Sequence, residues 1–208
     1  MPAVNISASV RERIESLPQE RAFTPRSFLD LGGRAAIDKA LSRLAESGTI
    51  ARVARGVYAK PKASRFFGEV LPAASEVARV IAEANGERIS VHGAEAAREL
   101  GLTTQMPVRN VFLTSGRSRQ RKVAGSVVEF QHSKAAGLRA SGTTAGLGIA
   151  AMLYLGKDRV TPEVVQGIRK RLTEREWKRL EDELPHLPSW VATAVHGARK
   201  RAGRRHDR

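Results

Sequence analysis

The sequence predicts an α+β chain, with an amino-terminal winged helix-turn-helix followed by a mixed α/β domain that ends in helices. Three observations predict it. Residues 23 to 61 read as two short helices and a glycine-turned hairpin, residues 88 to 131 mix strand patterns with one helix, and residues 142 to 196 carry only helical periodicity. The expected division is 1–66 for the winged helix, 67–197 for an α+β domain and 198–208 for a basic disordered tail.

Ser9 is expected to cap a first helix, Val10 to Leu17, whose Val10, Ile14 and Leu17 form one apolar stripe, and Pro18 ends it. Thr24 is expected to cap the next, with Pro25 at the first helical position, where a missing N–H costs nothing. Phe28, Leu29 and Leu31 give that helix its apolar side, and Gly32 and Gly33 break it. From Arg34 a second helix sets Ile37, Ala40, Leu41 and Leu44 on one stripe, leaving Arg34, Asp38, Lys39, Ser42 and Arg43 along the other face. Gly48 stands where a left-handed residue closes a helix. Thr49 to Val53 and Val57 to Ala59 then read as strands about Ala54, Arg55 and Gly56, the glycine supplying the positive φ of a tight hairpin. Arg52, Arg55, Lys60 and Lys62 surround that turn. A second helix of this kind can enter the major groove while a basic hairpin reaches phosphates or the minor groove; winged helices also dock proteins.

Pro61 to Pro72 reads as a linker or crossing strand, with Phe66 and Phe67 docking on one of the domains. A helix from Ala73 to Ala84 buries Val77, Val80 and Ile81 and is closed by Asn85 and Gly86. Arg88 to Val91 is a short strand, His92 and Gly93 open a helix to Leu100, and Val108 to Thr114 and Val123 to Gln131 are two further strands. The loop expected between these last two holds Arg117, Arg119, Arg121 and Lys122; from Arg109 to Lys122 there are five cations and no acid. Gly142 to Leu155 is an apolar helix with Thr143 or Thr144 near its start, too short to span a bilayer. Thr161 with Pro162 opens a helix to Arg171, Thr173 with Glu176 forms a capping box for a helix to Leu184, and Pro188 to His196 is a last short helix.

Among 208 residues, 41% hydrophobic content suffices for a packed core, and a net charge of +15 implies a polyanionic partner. Charge alone does not choose among nucleic acid, an acidic protein and a membrane surface. The chain has no apolar run of membrane-spanning length and no signal-peptide pattern at its start, so a cytoplasmic location is expected. Without cysteine, disulfides, thiolate zinc sites and cysteine nucleophiles are excluded. Aromatic content of 5% argues against a single-strand surface built on stacked bases.

The sequence carries no phosphate-binding loop, and the glycines of SGTTAGLGIA do not follow a strand; they fit close helix packing instead. The five histidines form neither an HExxH motif nor an i, i+4 pair, so neither metal nor cofactor is expected. His92 with Glu95 near Arg98, or with Glu129 or Asp158, is the one acid–base grouping on offer; a histidine between strand and helix fits a cap equally well. No catalytic activity is expected. Trp177 and Trp190 read as packing anchors.

Two stretches, LSRLAESGTIARVARGVYAKP (41–61) and ISVHGAEAARELGLTTQMPVRNVFLTSGRSR (89–119), resemble the AbiEi-like antitoxins of AbiE-type bacterial toxin–antitoxin systems and related winged-helix proteins. The resemblance implies a winged helix that binds inverted repeats in its own promoter, and a second domain that neutralises a nucleotidyltransferase-like toxin, with or without gripping it. It further implies DNA contacts from Arg34, Lys39, Ser42, Arg43, Arg52 and Arg55, and an antitoxin surface around His92, Arg109, Arg117, Arg119, Arg121 and Lys122. The basic tail departs from the family pattern. A monomer that pairs on palindromic DNA fits this reading, and the competing expectation is an interaction module that binds an acidic protein without specific DNA recognition.

Overall fold

A computed structural model of the chain describes residues 5–64, 68–105 and 109–204. The chain is mixed α+β and divides into two compact units, residues 1–87 with 120–128, and residues 88–119 with 129–208. The first unit is thus discontinuous: it takes in the helix expected in the second half and a stretch of chain from well beyond it.

In the first unit, α1 spans Ile6–Ser16 and starts earlier than expected, because Asn5 rather than Ser9 caps it, accepting from the Ala8 N–H at 3.3 Å. Strand β1 (Ala22–Phe23) leads into a 3-10 turn, Pro25–Phe28, where a helix capped by Thr24 was expected. The Thr24 side chain makes no capping bond; its carbonyl accepts from Ser27 N–H at 3.0 Å, closing the tighter turn instead. Phe28 is fully buried there, edge-on to Phe23 with centroids 5.5 Å apart, while Leu29 stays exposed. Helix α2 (Arg34–Glu46) buries Ile37, Ala40, Leu41 and Leu44 as its periodicity demands. Strands β2 (Ala51–Ala54) and β3 (Val57–Ala59) follow, turning at Gly56 with φ +73°. The sheet order is β1-β3-β2, all antiparallel, with Phe23 opposite Tyr58 and Arg52 opposite Tyr58 across the other edge.

The segment read as a linker forms a hairpin, β4 (Lys62–Ser64) with β5 (Gly68–Val70), Lys62 facing Val70. Phe66 and Phe67 lie outside the described residues. Helix α3 (Ala74–Ala84) packs its Val77, Val80 and Ile81 side on β1 and β3. A strand pair whose second face would be wet is thereby covered.

The second unit is built on β6 (Ile89–Val91), α4 (Gly93–Glu99) and β7 (Asn110–Thr114), then the hairpin of β8 (Arg119–Val123) and β9 (Ser126–His132), whose outer part counts with the first unit. Strand order is β6-β7-β9-β8, with Ile89 opposite Thr114. The basic stretch expected as a loop is therefore strand from Arg119 onward, while Val108, read as the start of a strand, lies outside the described residues. Helix α5 (Thr144–Leu155) is buried nearly all round and packs on α4; α6 (Pro162–Arg171) and α7 (Glu174–Glu183) close over it. Thr161 and Thr173 cap as read, accepting from Val164 N–H and Glu176 N–H, and of the two threonines near the start of α5 it is Thr143 that caps, accepting from Gly146 N–H. Glu176 does not complete a capping box, because its carboxylate accepts from Ala145 N–H at 2.9 Å and so tethers α7 to the start of α5. Helix α8 (Ser189–Arg204) runs past His196, so the segment expected as a disordered tail is helical over Ala198–Arg204; residues 205–208 lie outside the described residues. Trp177 and Trp190 are partly buried against this core.

Candidate nucleic-acid interface

Helix α2 is held by its apolar stripe, and that fixes what its other side presents. Arg34, Ala35, Ala36, Lys39, Ser42 and Arg43 are all exposed. The two alanines, which the sequence reading passed over, keep the first turn of this face low. Gly33 caps α2 without a side chain and no acid stands in the first turn, so the positive end of the helix dipole is left uncompensated. Arg34 is the exception among the cations, since its Nε lies 3.0 and 2.9 Å from the two carboxylate oxygens of Asp38. Both side chains are about half exposed, at 59% and 46%, so the pair is weak and gives way easily to a stronger anion. Among the described residues, no ion pair engages Lys39, Arg43, Arg52, Arg55, Arg121 or Lys122.

The β2–β3 turn carries Arg52 and Arg55, both exposed, while Val53, Ala54 and Val57 are buried beneath it. A register shift between Arg52 and Ala54 lets Arg52 face outward while the next two residues pack inward. All six positions that the resemblance assigned to DNA thus stand at the surface of one unit.

The boundary between the two units falls within the second basic group. Arg121 and Lys122 fall in the first unit, and Arg109, Arg117 and Arg119 in the second. Arg119 is structural in character: its guanidinium lies over the Phe130 ring at 4.4 Å and its Nη1 donates to the Arg117 carbonyl at 3.0 Å. Arg109, Arg117, Arg121 and Lys122 are exposed. In the first unit a cleft of about 560 Å³ is lined by Arg26, Arg34, Arg55 and Arg121 with no acidic residue. Arg26 was not singled out from the sequence; its Nη1 donates to the Ala84 carbonyl at 2.9 Å, a contact between segments far apart in the chain that no local pattern announces.

The acid–base grouping is occupied otherwise. His92 caps α4, its Nδ1 accepting from Ala94 N–H at 3.3 Å, with the ring edge-on to Tyr154. Burial pushes its imidazole below the ordinary range, and Glu129 opposes this. Arg98 donates to both carboxylate oxygens of Glu95 and holds that acid below its usual range. Among the described residues no group of three His, Asp or Glu is placed to hold a metal ion, and no helix is long and apolar enough to cross a membrane.

No curated protein and no solved structure matches the chain. A family profile matches residues 9–180, and on that match the chain belongs to DUF6088, a family of unknown function.

Proposed function

We propose that this chain is a DNA-binding transcriptional autoregulator of the winged helix-turn-helix type, and the antitoxin of a bacterial toxin–antitoxin pair. The order helix, strand, turn, helix and hairpin, with β1 paired to β3, supports the winged-helix reading, in which α2 is the helix that enters the major groove. The observation that carries it is the exposed face of α2, with Arg34, Lys39, Ser42 and Arg43, beside the exposed Arg52 and Arg55 of the β2–β3 turn. In this reading Arg34, Lys39 and Ser42 choose the sequence, and the turn arginines hold phosphates and add affinity by counterion release. The antitoxin role, directed at a nucleotidyltransferase-like toxin in the cytoplasm, rests on the resemblance of residues 41–61 and 89–119 to AbiEi-like antitoxins, with exposed Arg109 and Arg117 in the second of these stretches.

The test is binding of the full chain to the DNA upstream of its own gene and to a scrambled duplex across a salt series. A preference for the upstream duplex that persists as salt rises is expected, and Lys39→Ala should alter which site is preferred while Arg52→Ala weakens every site alike. Equal affinity for both duplexes, vanishing together with salt, would sink the regulator reading. For the antitoxin role, the chain should restore growth to cells producing a nucleotidyltransferase-like protein encoded beside it; unrelieved toxicity would sink that half.

A further inference from the structure

We infer that the arginine-lined cleft of the first unit binds the phosphate backbone of duplex DNA, so that the tip of the β8–β9 hairpin serves as a second wing beside the β2–β3 turn. This rests on the proposed DNA-binding function and extends it to residues that the winged-helix order does not include. The tip is joined to the first wing directly: Ala124 N–H donates to the Val53 carbonyl at 2.8 Å. Ala124 and Gly125 both have positive φ, 45° and 83°, the geometry of a two-residue hairpin turn whose twist matches that of the strands. The turn is therefore tight and anchored. It brings Arg121 to the cleft that Arg26, Arg34 and Arg55 also line, with Thr24 and Asn85 as neutral polar neighbours.

The chemistry favours a phosphate over a carboxylate-bearing protein. All four cations are arginine, whose planar fork matches phosphate oxygens in paired hydrogen bonds; no acid lines the cleft, and the one acid bonded to a lining arginine is Asp38, whose half-exposed pair with Arg34 is weak. Arg26 is held in place by the Ala84 carbonyl, which lowers the entropy lost on binding. Arg34 is also the first residue of α2, so an anion bound here would flank the groove that this helix enters.

The experiment compares the full-length protein with Arg121→Gln, Arg55→Gln and Arg121→Lys, and with Arg175→Gln on the exposed side of α7 as a control, on the upstream and scrambled duplexes over a salt series. Arg121→Gln should weaken both duplexes alike by about three- to tenfold and reduce the salt slope by about one, and Arg55→Gln should do the same. Arg121→Lys should keep most of the affinity and Arg175→Gln all of it, with melting curves showing every variant folded. Ethylating single phosphates of the upstream duplex should reveal one whose modification weakens the unaltered protein but not Arg121→Gln. Unchanged affinity and slope for Arg121→Gln beside a weakened Arg55→Gln would overturn the inference and leave the proposed function standing. Failure of the unaltered protein to bind either duplex would overturn both. A loss by Arg121→Gln seen only with polyglutamate, at full duplex affinity, would overturn it in favour of an acidic protein partner.

Discussion

Asp38 is the one acid on the exposed side of α2 that touches a candidate DNA contact, and its effect on Arg34 can be separated from its effect on the helix. The Arg34–Asp38 pair, exposed and four residues apart, contributes about 0.3–0.5 kcal/mol to the helix. Facing phosphates, the same carboxylate repels. Asp38→Asn is therefore expected to raise affinity for every duplex a few-fold at low salt while leaving the thermal midpoint nearly unchanged, as read from binding isotherms and melts of one preparation. Affinity that falls would place Asp38 in contact with a base instead, where a carboxylate accepts from cytosine. His92 offers a second residue-scale test, now of stability. Burial depresses its folded value, whereas the unfolded chain takes up a proton near the ordinary 6.5. Between the two, the unfolded state holds more protons, so stability falls as pH drops below 6.5. Protonation also removes the Nδ1 acceptor from the cap of α4. His92→Asn, which keeps a capping side chain, should flatten this slope in melts from about pH 7 to pH 5. Glu99, raised by burial, tilts the curve the other way in both proteins and so cancels from the comparison. Parallel slopes would show that His92 does not contribute.

At the scale of elements, what could be read from the sequence was whatever local chemistry decides. Thr161 with Pro162, and Thr173, start α6 and α7 because a hydroxyl and a fixed φ satisfy the first turn wherever the helix packs. α2 has no such cap and is marked by its periodicity, Ile37, Leu41 and Leu44 recurring on one buried stripe, and its exposed candidate contacts follow from that stripe. The segment after Thr24 was misread because it is too short before Gly32 to nucleate an α-helix, and burial of Phe28 decides its course instead. β8 was missed since Arg119 to Lys122 shows no apolar alternation; pairing with β9, not side-chain burial, makes it a strand. Arg121 consequently moved from a supposed loop to a cleft. The glycines of SGTTAGLGIA could be read as fitting close helix packing, and a Cβ at Gly148 would lie 3.0 Å from both Ile168 Cγ2 and Leu180 Cδ1; at Gly93 the sequence showed a helix start but not the close approach. Gly93 is where α4 meets α5: a Cβ there would lie 2.3 Å from Tyr154 Cβ and 2.5 Å from the Ala150 carbonyl oxygen. Because the second of these is backbone, the helices must part to admit a methyl group. Gly93→Ala should cost about 1–3 kcal/mol in denaturant unfolding despite its better helix propensity. A neutral or stabilising change would mean that the α4–α5 contact is looser than this spacing.

At the scale of the whole molecule, a net charge of +15 says that the chain favours polyanions but not how many it grips at once. That figure is net of the acids, so the pairs that arginines make leave it unchanged and say only which cations are engaged locally: Arg13 is bonded to Asp30, Arg79 to Glu76 and Glu83, Arg98 to Glu95, and Arg169 to Glu174, while Arg119 lies on Phe130. Arg26, Arg52, Arg55, Arg121 and Lys122 remain in the first unit around the two turns, together with Lys39 and Arg43 on α2. If the five cations around the turns each neutralise one phosphate, log affinity should fall against log salt with a slope of about −4 to −5, since each phosphate neutralised contributes about −0.9. The slope should be the same on upstream and scrambled DNA, because phosphates carry no sequence, with the two lines separated by a constant offset that belongs to the face of α2. A slope nearer −1 would mean that the turns do not hold the backbone, and that the positive charge serves some other contact. Lines of different slope on the two duplexes would mean that recognition of the upstream site recruits further cations, beyond these five, that generic DNA leaves free.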